Sequence, residues 1–366
     1  MKKVLLLVFL ASALVGCKSS RVGDTSNVQV RFLDDYNITD GLEIKDTEVG
    51  GLSGIDYHEG TYYMVSDHPS NPRIYLATIE ISEEKIDSVV ISDVILLDKK
   101  HKSLKDQHLD LESILFEPED ENFLLSSEGN INNNKDPMLF RVSKMGDFVT
   151  SFAVPENLLA ESIKKPRNNG TLEGLTESYD GKGVWAAMEL PLETDGPKPK
   201  LYPTKSPVRI THFDKETQTA TKQFPYRLDR IAKIPWLYFA VNGVTDLLEY
   251  APDKFLVLER GFSAGHGQKG NTVRIFDVDA TLATNTLDIN NLRVSFNNPA
   301  KKTLLYDFKW AKKFLSQEII DNIEGITFGP TLPNGNQSLI LISDNNFNSM
   351  GQQLNQVILM EYIPKK

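Results

Sequence analysis

Ten residues in two columns have the types and spacing to do chemistry together. The first column is Ser53, Glu112, Glu173, Asp246 and Glu324, and the second is Asp67, Glu128, Glu189, Glu259 and Asp344. One member of each sits in every copy of a repeated phrase, found as "GLSGIDYHEGTYYMVSDH", "DLESILFEPEDENFLLSSEG", "TLEGLTESYDGKGVWAAMEL", "GVTDLLEYAPDKFLVLERG" and "NIEGITFGPTLPNGNQSLILISDN". Carboxylates gathered at one place repel and raise one another's pKa unless a counter-charge is supplied. With one cysteine and six histidines in the chain, the ligands on offer are oxygens, which suit a hard cation such as Ca²⁺. Zinc fits poorly, since His101 and His108 lie seven apart with no companion cluster. The expected metal ligands are Asp67, Glu112, Glu128, Glu173, Glu189, Asp246, Glu259 and Asp344. Any one of these acids can instead cap a turn; repetition in two columns favours a shared functional mouth.

Other chemistry-bearing residues follow the second column: His68 after Asp67, Arg260 after Glu259 and Asn345 after Asp344. Arg260 can clamp a carboxylate or phosphate through two parallel hydrogen bonds, or it can neutralise Glu259 and its neighbours. His266 and Lys269 lie in the glycine-rich "GFSAGHGQKGN", a loop able to cover the same mouth. That loop also matches G-x-S-x-G around Ser263, but "GHGQKGN" cannot start the helix that a nucleophile elbow needs.

The elements that must position these residues are strands. In each phrase a short apolar run, a turn and a second apolar run make a hairpin, and runs such as "RIYLATIEI" and "NTVRIFDVD" supply outer strands. First-column residues recur at separations of 59, 61, 73 and 78. A hairpin with one or two outer strands at such a period is a propeller blade. The expected fold is therefore all-β, a single β-propeller of six blades, with five legible and a sixth hidden in the longer spacings or assembled from the chain ends. "NVQVRFL" and "QVILMEYI" are both strand-like and suit a ring closed by pairing the termini. "ENLLAESIKK" and the stretch around "FKWAKKFLSQEIIDNI" read as short helices in inter-blade loops. "ETDGPKPKLYPTKSP" reads as a long loop, since the repeat continues on both sides of it.

Residues 1–16 form a leader: Lys2 and Lys3, an apolar run from Val4 to Val15, then Gly16 before Cys17. A cysteine directly after the small residue makes a bacterial lipoprotein box, so lipidation at Cys17 is expected, with residues 17–27 as a polar tether and 28–366 as the propeller domain. The run is too short to span a bilayer. Lys18, where an acid could stand, points to the outer membrane, facing periplasm or surface. Loss of the two lysines takes the formal charge from −10 to −12, which argues against a nucleic-acid partner. A monomer is expected, held to the membrane through its lipid alone.

The segments "GGLSGIDY", "YYMVSD", "LEGLTE", "FLVLERG", "NTVRIFDVD", "NIEGITFGP" and "LILISDNNF" resemble the phytase-like domain proteins, described as having the esterase-like activity of phytase. The resemblance runs from about Gly50 to the C-terminus, and Glu112, Glu173, Glu259, Arg260, Glu324, Asp344 and Asn345 fall on its motif positions. It implies a β-propeller and a calcium-dependent phosphoesterase acting on a small-molecule ester. On that reading Glu112, Glu173 and Glu324 are ligands or a general base, and Arg260 and His68 stabilise charge developing on phosphoryl oxygens. Arg260, His266, Lys269 and Asn345 would contact substrate. The alternatives are a propeller that binds a glycan, peptide or envelope partner without catalysis, and a lactonase-like metal hydrolase.

Overall fold

The computed structural model describes residues 26–163, 166–295, 297–349 and 351–365. The leader, the lipidation site at Cys17 and nearly all of the tether lie outside the described residues.

Five four-stranded antiparallel sheets follow one another around a central axis. The innermost strands are Leu52–His58, Leu111–Glu117, Leu172–Glu177, Ala240–Ala251 and Asn322–Thr331. Their hairpin partners are Thr61–Ser66, Asn122–Ser127, Gly183–Met188, Lys254–Ser263 and Gln337–Asp344. These second strands are sandwiched between neighbouring sheets, so Gly183–Met188 is buried at every position. Outer strands see solvent on one side and alternate accordingly, as Lys85–Leu96 does. The core lies between blades: Trp185, Phe224 and Phe255 meet between the third and fourth, with ring centroids 5.3–5.4 Å apart.

The ring has five blades, which corrects the expectation of six. Val28–Ile38 pairs antiparallel with Asn355–Pro364, from Val28 opposite Pro364 to Ile38 opposite Asn355. The chain ends therefore do pair, but they complete the fifth blade. The longer spacings are taken up by loops, residues 189–206 in the third blade and 280–295 and 297–300 in the fourth.

The expected loop helices are also corrected: no α-helix occurs among the described residues, and the two segments contain only the 3₁₀ turns Glu156–Leu158 and Phe308–Trp310. Stretches this short gain too few hydrogen bonds to offset helix nucleation. They bury single apolar side chains instead, Leu158 in one and Phe308, Ala311 and Leu315 in the other. Among the described residues no helix is long and apolar enough to cross a membrane.

Each innermost strand carries a register shift near its start, between Leu52 and Gly54, Leu111 and Ser113, Leu172 and Leu175, Val244 and Asp246, and Ile323 and Gly325. Such bulges re-aim a side chain and bend the strand. In four of the five strands the residue at this point is small, Gly54, Ser113, Gly174 and Gly325, and the reason is steric. A Cβ on Gly54 would sit 2.6 Å from Ser113 Cα, and one on Gly174 would sit 2.5 Å from Asp246 Cα. In the fourth strand Asp246 takes this place.

Candidate metal centre at the channel mouth

The starts of the innermost strands and the ends of their partners meet at one mouth of the channel. The backbone fixes the equivalence of blades: the amides of Asp67, Glu128 and Glu189 donate to the carbonyls of Gly51, Asp110 and Thr171 at 2.8–2.9 Å. In the fifth blade Asn322 stands opposite Asp344. In the fourth, Gly243 stands opposite Arg260, not Glu259. The bulge there likewise brackets Thr245, not Asp246. The structural columns are thus Ser53, Glu112, Glu173, Thr245 and Glu324, and Asp67, Glu128, Glu189, Arg260 and Asp344.

Asp246 and Glu259 are therefore corrected as metal ligands. A one-residue slip sends the side chain to the opposite face in a regular strand, and beside a bulge it re-aims it. Asp246 lies inside the channel, accepting from the amides of Leu247 at 2.9 Å and Ile326 at 2.8 Å. Glu259 points away from the mouth into a niche of its own, where Tyr226 Oη (2.6 Å), Asn242 Nδ2 (2.7 Å), Lys302 Nζ (2.5 Å) and the Asp229 amide (3.1 Å) all donate to it.

What remains at the mouth is a set of eight carboxylates, Asp67, Asp110, Glu112, Glu128, Glu173, Glu189, Glu324 and Asp344, around one guanidinium, Arg260. Burial is the largest cause raising each carboxyl, and acidic neighbours add to it for most of them. Asp67 and Glu128 are pushed up to about 8, Glu189 to about 7 and Asp110 to about 6. Glu112, Glu173 and Asp344 stand well above the usual carboxylate range. Burial disfavours the charge on Arg260, but Glu324, Glu189 and Glu173 outweigh it and keep the guanidinium protonated. Its Nη2 donates to Glu324 Oε1 at 2.6 Å, and Asn322 Nδ2 donates to the same oxygen at 2.9 Å and to Asp344 Oδ2 at 3.2 Å.

Two triads could hold a cation: Asp110, Glu112 and Glu128, and Glu128, Glu173 and Glu189. Within each, one ligand oxygen per residue lies within 4.8 Å of the others. Opposed oxygens around Ca²⁺, each about 2.3–2.6 Å away, stand about 5 Å apart. The donor set is wholly carboxylate and hard. Moreover, Glu189 Oε2 is buried with no hydrogen-bond partner among the described residues, so a ligand position is open. The residues fit a divalent cation.

Seven acids of the sequence columns meet here: Asp67, Glu112, Glu128, Glu173, Glu189, Glu324 and Asp344. Asp110 was missed, although it begins the second phrase; Asn322 opens the fifth in the same way. His108, set aside with zinc, has Nε2 3.9 Å from Asp110 Oδ2. His68 joins Asp67, Asp110, Arg73 and Phe347 around an adjoining cavity of about 540 Å³, and its Nδ1 is buried without a partner among the described residues.

Two expected substrate contacts, Asn345 and His266, are otherwise engaged. Asn345 is corrected: buried, it accepts through Oδ1 from the amides of Gly51 and Phe347, each at 3.1 Å, latching the fifth blade to the first. His266 packs on Trp236 with centroids 4.7 Å apart and the rings tilted, and it is 2.9 Å from the Ile234 carbonyl. Lys269 is exposed in the turn Gly267–Lys269, its carbonyl accepting from Lys233 Nζ. Ser263 Oγ donates to the Lys233 carbonyl at 2.9 Å, which gives the nucleophile reading no support.

The family model for phytase-like proteins, described as "Esterase-like activity of phytase", matches residues 47–347. No curated protein matches the chain. Among solved structures, the chain is similar to the Malassezia sympodialis allergen Mala s 1 at 13% identity, with 89% of this chain and 82% of that one covered and a TM-score of 0.42. A GH43 β-1,3-galactosidase with galactodeoxynojirimycin is similar at 11% identity, with 89% and 94% covered and a TM-score of 0.44. A luciferin-regenerating enzyme is similar at 12% identity, with 92% and 95% covered and a TM-score of 0.39. Likenesses this low say nothing of activity.

Proposed function

The chain belongs to the phytase-like family, and from that premise we propose that it is a calcium-dependent hydrolase cleaving a phosphoester at the acidic mouth of its propeller. The observation that carries this reading is the pair of carboxylate triads sharing Glu128, with Glu189 Oε2 left unpartnered. Asp110, Glu112, Glu128, Glu173 and Glu189 would hold the cation, which when bound supplies Lewis-acid polarisation of the phosphoryl group and a nucleophile at neutral pH.

The chain's own residues do the rest. Arg260 gives one Nη2 hydrogen bond to Glu324, while its Nε has no partner among the described residues. The remaining donors can bind a phosphoryl oxygen and strengthen as its charge grows. Glu324, itself held by Asn322, is a positioning residue for that guanidinium. Asp67, its carboxyl pushed up by burial and by Glu324 and Asp110, lines the cavity, where in its protonated form it can protonate a leaving alkoxide. Among the described residues Arg260 is the one cation hydrogen-bonded to these eight carboxylates, while Arg73 beside the cavity is engaged by Tyr75, Asn71 and Glu48, which suits an ester with a single phosphoryl group better than a heavily phosphorylated one. On this reading the protein works in a bacterial cell envelope, tethered through Cys17 and monomeric.

A second reading, a propeller that binds a partner on the same face, is favoured by the exposed Ile234, Trp236, Leu237, Tyr238 and Phe239. These sit in the connection between the third and fourth blades, and Trp236 donates its amide to the Ala264 carbonyl of the rim loop. Release of phosphate or nitrophenol from a panel of model esters, with and without Ca²⁺, separates the two. Under the catalytic reading release depends on Ca²⁺, and Arg260→Lys lowers kcat by about 10²-fold, the scale of losing one preorganised donor. No Ca²⁺-dependent release from any ester would leave the binding reading standing.

A further inference from the structure

We infer that the mouth holds two divalent cations sharing Glu128, an enclosed one between the second and third blades and an exchangeable one facing the adjoining cavity. This rests on the cation-binding part of the proposed function and not on its catalytic part.

The inner triad is Glu128, Glu173 and Glu189, with 2%, 6% and 2% of each residue exposed. The Thr171 amide holds Glu128 Oε1 at 2.7 Å, yet Glu189 Oε2 has no partner among the described residues. Space for that carboxylate is built into the neighbouring blade: a Cβ on Gly243 would lie 2.4 Å from Glu189 Cγ and 2.7 Å from Oε1. Any larger residue at 243 would displace the ligand. Arg260 cannot balance three inner carboxylates, because its single charge is already engaged with Glu324 at 2.6 Å. A cation enclosed by the triad supplies what the protein lacks.

The outer triad is Asp110, Glu112 and Glu128. Here Asp110 keeps 23% of its side chain exposed and lines the cavity of about 540 Å³ beside Asp67 and His68. An ion at this end is open to solvent and can exchange. Glu128 belongs to both triads, and its two oxygens allow it to serve both ions. The two positions are unequal because one is enclosed and the other open.

Calorimetric titration of chelator-treated full-length protein with Ca²⁺, with thermal unfolding alongside, tests this. Two ions should bind with unequal affinities. Asp110→Asn should remove the weaker event alone, Glu189→Gln the tighter one together with most of the Ca²⁺-induced rise in Tm, and Glu128→Gln both. Should any variant fail to fold, displacement of Tb³⁺ luminescence by Ca²⁺ on the wild-type protein still yields the number of ions. A stoichiometry of one or none, or loss of the same event in Asp110→Asn and Glu189→Gln, overturns the inference. Two bound ions without ester hydrolysis would overturn the catalytic reading alone; hydrolysis with one bound ion would overturn this inference alone.

Discussion

Two buried acids on second strands, Glu259 in the fourth blade and Glu189 at the end of that of the third, are treated in opposite ways. Glu259 is 1% exposed, yet Tyr226, Asn242, Lys302 and the Asp229 amide surround it with donors. Glu189, 2% exposed, has one oxygen with no donor and faces Glu128 and Glu173. A buried charge costs several kcal/mol unless it is paired. The first site has met that cost within the fold and serves structure. The second has left it unmet, and such a site retains the capacity to bind something positive. Acid content and burial do not separate the two; the partner inventory does.

Breaking the satisfied site should have the largest effect. Glu259→Ala takes the acceptor from the buried Tyr226 Oη and Asn242 Nδ2, while Lys302 keeps Asp229 and the Arg227 carbonyl, with an expected loss of about 3 kcal/mol and a Tm lower by several degrees. Ca²⁺ binding measured by calorimetry should not change. A variant that melted normally would mean that the niche is not what holds this part of the fourth blade.

The pH dependence sharpens the contrast. A carboxyl raised in the folded state binds protons that the unfolded chain releases, so its favourable contribution is complete below about pH 4 and is lost as pH rises through the folded value. With Asp110 at about 6, Glu189 at about 7, and Asp67 and Glu128 at about 8, the chelated protein should melt progressively lower between pH 5 and pH 8. Saturating Ca²⁺ should flatten that slope, since a ligand at 100 times its Kd adds about 2.7 kcal/mol. A chelated protein that became more stable over this window would contradict the unpaired state of these acids.

The smallest effect is a change of sign. At pH 8 in chelator, Glu173→Gln removes a carboxyl that burial and the neighbouring Glu128 and Glu189 hold against ionising, and it should stabilise by about 1 kcal/mol. In Ca²⁺ the same substitution removes a ligand and should destabilise. Paired thermal melts check this, and destabilisation in both conditions would assign Glu173 a structural role.

Much of this was legible in the chain. The repeated phrase gave the hairpins and the order of the blades, and seven acids of the mouth could be named from it. The fourth phrase misled because "TDLLEY" and "LERG" offer acids at Asp246 and Glu259 one place from the equivalent positions, Thr245 and Arg260. Sequence similarity tolerates such a slip, whereas a strand with period two does not. Asp110 escaped notice because an acid just before the strand has no partner in the other phrases, where Gly51, Thr171, Gly243 and Asn322 stand. The number of blades was hidden for a different reason: the terminal strands looked like a pair, but only their register shows which sheet they finish.

By itself, the sequence determined the local elements and their repetition, because alternation, turn residues and a small residue at four of the five bulges act within one hairpin. Tertiary structure alone decided which acids share a space, which of them are answered by donors, and where Arg260 enters the ring. Those outcomes depend on registers and closure between segments far apart in the chain, where a shift of one residue exchanges the axis for the opposite face of the sheet.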